Sequence, residues 1–182
     1  VRKGGPRGFP IPLIPGSDAV GVVLSAPAGS PLKAGDAVVI YPGEGCGHCP
    51  ACERGDDPLC PDYRIYGAFR NGGLAERMVV PARNCLPKPQ SLDFTQAAAV
   101  AIAYVTAYHM LTSRARLQPS EWVLIQAAGS GVSSAAIQIA SFLGGRVIAT
   151  SSTPEKMAYA RRLGAMHTID YRKEDVPERV ST

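Results

Sequence analysis

The stretch of residues 121–145 constrains the fold more than any other part of the chain. Trp122–Ile125 is a short apolar run rich in residues that favour strands, and its length is typical of a strand buried on both faces. Small residues follow at 126–130, a segment called here the small-residue turn, and they allow the close approach of a ligand. Apolar residues then recur at helical spacing through 131–143 before two glycines end the pattern. The stretch predicts a strand, a turn and a helix whose N-terminus can bind a nucleotide pyrophosphate.

The glycine pattern of the small-residue turn is incomplete. Gly129 and Gly131 are followed by Ser134, where the dinucleotide-binding pattern has a third glycine. An ordinary strand–helix–strand unit with a glycine-rich turn therefore stays an alternative to a nucleotide site.

The chain continues to alternate strands and helices after this stretch. Residues 146–150 and His167–Asp170 are predicted strands. Between them, Thr153 and Pro154 provide the N-cap and first residue of a helix over 155–163. This alternation predicts a parallel sheet with right-handed crossovers, whose strands make half of a doubly wound domain.

The first half of the chain has a different character. Residues 19–24, Ala37–Ile40 and residues 74–80 are predicted strands, with a turn at Gly35 and Asp36 before the second. They predict a small all-β domain with many turns. Asp93 and Gln96 have the spacing of a capping box and predict the start of an alanine-rich helix that runs to about Leu111.

A cluster of cysteines lies in a loop, residues 41–63, called here the cysteine lobe. Its four thiols can close a tetrahedral zinc site, and the metal would order a loop that has no core of its own. The cysteines are Cys46, Cys49, Cys52 and Cys60. Two disulfides, or a redox pair at Cys49 and Cys52, are the alternatives, and His48 could replace one ligand. Cys85 is left over and is interpreted as a buried thiol.

Charge and composition exclude some classes of partner. The net charge is +4, and the 19 Lys and Arg residues form no block, which disfavours nucleic acid and anionic membranes. Residues 94–113 and 122–145 lack charge but contain polar residues or glycines, so we expect buried elements and no membrane span. No signal-peptide pattern is visible, and we expect a cytoplasmic protein. The chain lacks an initiating Met, and we expect it to be a fragment.

Several motifs along the chain resemble the zinc-containing alcohol dehydrogenase family of the medium-chain dehydrogenases/reductases. They are the cysteine spacing, Pro15-Gly16, Gly35-Asp36, Gly72-Gly73, Thr106-Ala107, the helix at 135–140, and Lys156 ahead of Leu163-Gly164-Ala165. The resemblance implies an α+β region followed by an α/β region. A GroES-like β-barrel domain would span 1–112 and contain the cysteine lobe, and an incomplete Rossmann domain would span 113–182. The active site would lie in the cleft between them.

The resemblance also exposes a departure at the catalytic metal. Family alcohol dehydrogenases hold a second zinc with Cys, His and Cys and a neighbouring Glu. The His and Glu positions fall on Ser17 and Asp18, the second Cys falls on Ile102, and the first would precede Val1. A hydroxyl and an alkyl group cannot replace imidazole and thiolate, so we expect no catalytic zinc. The quinone oxidoreductase branch also lacks this zinc, although that branch usually lacks the cysteine lobe as well.

The cofactor is predicted from the residues that follow the predicted strands at 122–125 and 146–150. Family glycine positions fall on Ala127, Ser130 and Ser133, all small enough for a phosphate to approach. The second strand ends in Ser151 and Ser152, where NAD enzymes have an acid, and Lys156 lies one turn into the next helix. Hydroxyls and a cation accept a 2′-phosphate, so NADP(H) is the predicted cofactor. The predicted contacts are Ala128, Gly129, Ser130, Gly131, Val132, Ser151, Ser152 and Lys156.

The resemblance implies hydride transfer between NADPH and a small molecule. Thr106 occupies the family position that borders the nicotinamide, and Tyr104 either faces the same cleft or packs in the core. A quinone or an enone is the predicted substrate, with alcohol dehydrogenase or carbonyl reductase activity as the alternative. A non-catalytic nucleotide-binding protein is the alternative of another class. We expect a homodimer or homotetramer at full length.

Overall fold

The computed structural model describes residues 12–181. It divides into two units that meet between Ile102 and Ala103. This point lies inside a helix that continues through both residues. The domain boundary expected at 112/113 therefore stays a prediction.

Each unit contains its own sheets. The strands are β1 (Ala19–Val22), β2 (Ala37–Ile40), β3 (Gly43–Glu44), β4 (Arg64–Ile65), β5 (Cys85–Pro87), β6 (Trp122–Ile125), β7 (Arg146–Ser151) and β8 (His167–Asp170). The helices are α1 (Pro50–Glu53), α2 (Phe94–His109), α3 (Gly131–Phe142), α4 (Pro154–Arg162) and α5 (Val176–Ser181). Short 3₁₀ turns occur at Asp57–Leu59 and Ala82–Asn84, and a π-helical turn at Met110–Arg114 follows α2.

The first unit contains an antiparallel sheet in the order β1-β2-β5. The predicted turn before β2 is confirmed, because Gly35 has a φ of +96° and the Asp36 carboxylate accepts the Lys33 N–H at 2.7 Å. β3 and β4 pair as a separate ribbon at the base of the cysteine lobe. All of these connections are antiparallel, as expected for an all-β region.

The predicted strand at 74–80 is wrong. These residues are irregular, and the third strand of the sheet is β5, which the sequence analysis missed. The backbone there is used differently, because Gly73 N–H donates to the Gly16 carbonyl and Leu74 N–H donates to the Pro15 carbonyl. Val79 is 95% exposed, so its β-branched side chain does not pack against a sheet as the strand prediction assumed.

The second unit contains a parallel sheet in the order β6-β7-β8, with α3 and α4 packed against β7. The predicted strands are confirmed to within a residue, which follows from their strong periodicity and clear caps. β6 is the first strand in this order. Trp122 and Leu124 are exposed in the described residues, and the Trp122 ring packs beside His167 at a centroid distance of 5.5 Å. Burial of β6 on both faces stays a prediction.

α2 begins as the sequence predicts. The Asp93 carboxylate accepts the Gln96 N–H at 2.7 Å, and the Gln96 side chain accepts the Asp93 N–H at 3.1 Å, so the capping box is confirmed. Ala97 and Ala101 pack with Val39 in the core of the first unit. Neither this helix nor any other within residues 12–181 is long and apolar enough to cross a membrane.

α3 supplies the centre of the second core. Ser130 is its N-cap, and the three alanines of the predicted apolar stripe, Ala135, Ala136 and Ala140, are buried, whereas Val132, Ile139 and Leu143 are partly buried. The stripe also widens, since Ile137 is fully buried although the helical pattern in the sequence omits it. Small alanines on both sides of Ile137 let the helix lie close to the sheet, which buries the larger side chain between them.

We expect Ile137→Ala to lower the free energy of unfolding by about 2–4 kcal/mol, because it leaves a cavity in a packed core. Phe142→Ala in the same helix is the matched control, because that ring is 90% exposed and its loss should change stability by less than about 0.5 kcal/mol. Urea unfolding of both variants measures the difference. Equal losses would contradict this assignment of the core.

Candidate metal centre and nucleotide-binding turn

The four cysteine sulfurs of the cysteine lobe come together in space. The Sγ atoms of Cys46, Cys49, Cys52 and Cys60 all lie within 4.8 Å of one another. A tetrahedral zinc site with Zn–S bonds of about 2.3 Å has sulfurs about 3.8 Å apart. The donor set therefore fits a structural zinc ion. Within residues 12–181 no other cluster of at least three His, Cys, Asp or Glu side chains has such a geometry.

Two short helical segments position these sulfurs. α1 begins directly after Cys49 with Pro50 as its first residue, and the 3₁₀ turn Asp57–Leu59 leads into Cys60. Gly45 must be a glycine, because a Cβ there would lie 2.7 Å from the Cys52 sulfur. The short helical turns thus replace a hydrophobic core as the framework of the lobe.

Backbone N–H groups contact two of the four sulfurs. The Cys46 N–H donates to the Cys60 sulfur at 3.3 Å. The backbone N–H of Cys52 donates to the Cys49 sulfur and lowers the pKa of the Cys49 thiol to about 7. The Cys52 thiol differs: although a backbone hydrogen bond from Gly47 lowers its pKa, burial and the neighbouring thiols of Cys49 and Cys60 raise it to about 12, so zinc binding must release this proton.

The alternatives for the cysteines can now be compared with the geometry. All five cysteines are free thiols, so the structure contains no disulfide among the described residues. The His48 ring lies against the Cys46 carbonyl at 3.0 Å and is outside the sulfur cluster. Cys85 is half-buried, and this burial raises the pKa of its thiol.

A largely buried carboxylate lies at the base of the lobe, with its side chain 11% exposed. Glu44 accepts a hydrogen bond from the Tyr66 hydroxyl at 2.5 Å and pairs with Arg70 at 3.4 Å. Asn84 is also buried, and its amide donates to the Tyr41 and Gly43 carbonyls. Sequence analysis missed these residues because each partner lies tens of positions away and carries no local pattern.

The three residues at the family's catalytic-metal positions form a connected group. Asp18 accepts the Ile102 N–H at 3.0 Å, although the two are 84 residues apart. The Ser17 hydroxyl donates to the Tyr66 carbonyl at 2.7 Å. An alkyl side chain and a hydroxyl whose proton is already shared do not fit a zinc site. No reaction step is therefore assigned to a second zinc ion.

Serine side chains hold the small-residue turn. Ser130 accepts the Ser133 N–H at 3.2 Å, Ser133 donates to the Gln126 carbonyl at 2.7 Å, and Ser134 donates to the Ala128 carbonyl at 3.1 Å. The first N–H groups of a helix have no partner within the helix. Here the Ser130 cap accepts the N–H of Ser133, the third residue of α3. The N–H groups of the first two residues, Gly131 and Val132, are therefore left for an anionic ligand.

Ala127 has a strained backbone at a family glycine position. Its φ is +53°, which costs an alanine about 1–2 kcal/mol relative to a glycine-compatible turn. Two hydrogen bonds to Thr150 hold this conformation, from the Ala127 N–H to the side chain and from the Ala128 N–H to the carbonyl. The turn thus keeps its shape without the expected glycine.

Lys156 lies against the small-residue turn. A Cβ placed on Gly129 would be 3.0 Å from the Lys156 Cδ, so the lysine stem crosses the turn at this residue. Ser152 is half-buried, whereas Ser151 is only 2% exposed and its hydroxyl has no partner among the described residues. In this conformation Ser152 and Lys156 are open to a ligand, and the Ser151 side chain is not.

An acid beside the second strand was missed by the sequence analysis. Asp170 ends β8 and is paired in register with Ser151 at the end of β7. Its buried carboxylate accepts the Arg172 N–H at 3.1 Å and lies 3.8 Å from the Lys173 ammonium. These donors compensate the negative charge near the position proposed for the cofactor.

Tyr104 and Thr106 face different sides of α2. Residues two apart in a helix are rotated by about 200°. Thr106 is exposed, whereas the Tyr104 ring packs against the core and its hydroxyl accepts a hydrogen bond from Gln138 at 2.8 Å. The two side chains therefore do not line one small site together.

Comparison with known proteins agrees with this architecture. Residues 1–90 match the alcohol dehydrogenase GroES-like domain, and residues 131–182 match the zinc-binding dehydrogenase family. An alcohol dehydrogenase from Geobacillus stearothermophilus is 38% identical over 168 residues, which cover 91% of this chain and 49% of that protein. A quinone oxidoreductase-like protein 2 homolog from Nematostella vectensis is 39% identical over 118 residues, which cover 64% of this chain and 32% of that protein. A solved NAD-dependent alcohol dehydrogenase has 44% identity and a TM-score of 0.91, covering 94% of this chain and 50% of its own.

A GroES-like region with a four-cysteine lobe, followed by half of a Rossmann sheet, defines a class of two-domain dehydrogenases. The chain belongs to the zinc-containing alcohol dehydrogenase family of the medium-chain dehydrogenases/reductases. The predicted fold class is thereby confirmed. The chain spans about half the length of the relatives named above.

We expect purified protein to contain about one zinc ion per chain, because four thiolates complete a tetrahedral sphere. Cys52→Ser should lower the zinc content and increase protease cleavage within the cysteine lobe. Cys85→Ser is the matched control, since that thiol lies outside the cluster, and it should retain the metal. Elemental analysis with limited proteolysis checks both, and metal-free protein with reduced, intact cysteines would contradict the assignment.

Proposed function

We propose that the protein is an NADPH-dependent oxidoreductase that reduces a quinone or an enone. The observation that carries this proposal is the group formed by Ser17, Asp18 and Ile102. Family alcohol dehydrogenases place metal ligands at these positions, whereas here Ser17 donates to a carbonyl and Ile102 offers only an alkyl group.

The chemistry of the substrate follows from that group. An alcohol must lose its proton before or during hydride loss, and a zinc ion assists by lowering the alcohol pKa by several units. Without such a metal, the favoured substrate is one whose own carbonyl delocalises the charge that the hydride brings. A quinone and an enone both do so, and hydrogen-bond donors can hold the resulting oxyanion.

The residues of the second unit support binding of the cofactor. The free N–H groups of Gly131 and Val132 would bind the pyrophosphate at the positive end of α3. Lys156 would bind the 2′-phosphate, with Ser152 as a neighbouring hydroxyl, and Thr106 would border the nicotinamide. Bound NADPH would supply the hydride.

Alcohol dehydrogenase or carbonyl reductase activity is the second candidate. The cysteine lobe and the identity to the Geobacillus stearothermophilus alcohol dehydrogenase favour it, and one solved relative is named as NAD-dependent. The quinone oxidoreductase-like relative favours the first candidate. A non-catalytic nucleotide-binding protein would bind NADPH without turning over either type of substrate. A cytoplasmic location remains part of the proposal, because cysteines that are to bind zinc must stay reduced. A homodimer or homotetramer also remains part of the proposal.

We expect tighter binding of NADPH than of NADH. A lysine contact to a phosphate is worth about 1–3 kcal/mol, so Lys156→Ala should weaken NADPH about tenfold to a hundredfold and leave NADH unchanged. Arg162→Ala is the matched control, because it removes the same charge from the far end of the same helix. Titration of cofactor fluorescence with the protein in its natural length gives the affinities. Equal binding of both cofactors by the unmodified protein would contradict the NADPH assignment.

We expect turnover of quinones and enones with NADPH to exceed turnover of primary and secondary alcohols with NADP. The physical reason is the missing donor set at Ser17 and Ile102. Both assays should be run with the protein in its natural length, with and without a chelator. Faster alcohol turnover that is lost when one metal is removed, while the cysteine-bound zinc stays, would favour the second candidate. NADPH binding with no turnover at all would favour the non-catalytic alternative.

A further inference from the structure

We propose that Gly129 determines cofactor specificity by making room for Lys156. The lysine stem lies against residue 129 so closely that a side chain there would push it away by a few tenths of an ångström. This inference rests on the proposed use of NADPH, in which the Lys156 ammonium binds the 2′-phosphate. Gly129 is thus a positioning residue that acts through Lys156.

The contact involves the length of the lysine stem. A Cβ on Gly129 would lie 3.0 Å from Lys156 Cδ, 3.2 Å from Cε and 3.4 Å from Cγ. Three consecutive methylenes therefore lie against the glycine, so the stem runs flat over it. Such close distances would force the stem to move if any side chain were present.

Backbone conformation does not explain the glycine. Gly129 is absent from the residues with positive φ, whereas its neighbour Ala127 has a φ of +53° without being a glycine. An alanine could therefore adopt the backbone of residue 129 without strain. Space for the Lys156 stem is the requirement that remains.

The position of Lys156 depends on this contact. Its backbone is anchored at the start of α4, where the Lys156 N–H donates to the Thr153 hydroxyl at 3.4 Å. No carboxylate within residues 12–181 lies within salt-bridge distance of its ammonium. The stem is therefore guided by packing on the turn, as long basic side chains commonly are. Packing limits the rotamers of a flexible side chain and lowers the entropy lost when it binds a phosphate.

We therefore expect Gly129→Ala to change cofactor specificity without changing the stability of the fold. Gly129→Ala should leave the fold intact, because the atoms that must move belong to an exposed and flexible side chain. The displaced ammonium would no longer be held ready for the 2′-phosphate. NADPH affinity should fall by more than NADH affinity, since NADH has no phosphate at that position and any crowding of the shared pyrophosphate affects both cofactors equally.

A double-mutant cycle tests the coupling between the two residues. Dissociation constants for NADPH and NADH are measured by cofactor fluorescence in the unmodified protein of natural length, Gly129→Ala, Lys156→Ala and the double variant. We expect Gly129→Ala to weaken NADPH by about threefold to tenfold, and to have no further effect once Lys156 is already alanine. Thermal unfolding should show that Gly129→Ala leaves the melting temperature nearly unchanged.

Gly131→Ala is the matched control. A Cβ there would have only the Ala103 Cβ as a neighbour, at 3.9 Å, and would not touch Lys156. Any effect of this control should be the same for both cofactors. A loss of NADPH affinity in Gly129→Ala that persists in the Lys156→Ala background, or an equal loss for NADH, would overturn the inference. A Lys156→Ala variant that binds NADPH normally would overturn both the inference and the NADPH assignment.

Discussion

The first unit depends on one largely buried carboxylate. The Glu44 side chain is only 11% exposed, so its charge must be compensated, and the Tyr66 hydroxyl and Arg70 provide this. Tyr66 then extends the connection, because its carbonyl accepts the hydroxyl of Ser17. Buried Tyr66 therefore contacts two places at once. Its hydroxyl binds Glu44 at the base of the cysteine lobe, and its carbonyl binds Ser17. The base of the lobe that would bind zinc and the position of Ser17 therefore share one support.

The second unit solves a different problem, since its small-residue turn lacks several of the glycines that such turns commonly use. Hydroxyl groups replace them: Ser130 and Ser133 close the turn through side-chain hydrogen bonds, and Thr150 holds the positive φ of Ala127. The glycine that is kept at 129 faces the stem of Lys156. The serines and Thr150 thus preserve the shape of the turn, and the glycine that remains at 129 lies close to a cationic side chain.

These two units divide the chemistry between them. A zinc ion held by four sulfurs has a complete coordination sphere, so the cysteine lobe can stabilise the protein but offers no open position to a substrate. In the proposed function, the serine and isoleucine at the other family metal positions leave polarisation of the carbonyl to the substrate itself. In the same proposal, selectivity for the cofactor depends on the serines at the end of β7 and on Lys156 in α4, which stand where NAD enzymes have an acid.

The sequence by itself determined the elements whose signals are local. The capping box at Asp93 and Gln96, the strands of the parallel sheet and the cysteine spacing were readable from the sequence, because their signals lie within a few residues of one another. Only the tertiary structure decided which distant residues meet: Asp18 with Ile102, Tyr66 with Glu44, and Lys156 with Gly129. The same limit explains the wrong strand at 74–80, whose backbone bonds to Pro15 and Gly16, and the unexpected burial of Ile137. Local patterns specify what a segment can form, and packing between distant segments decides which backbone groups and side chains become partners.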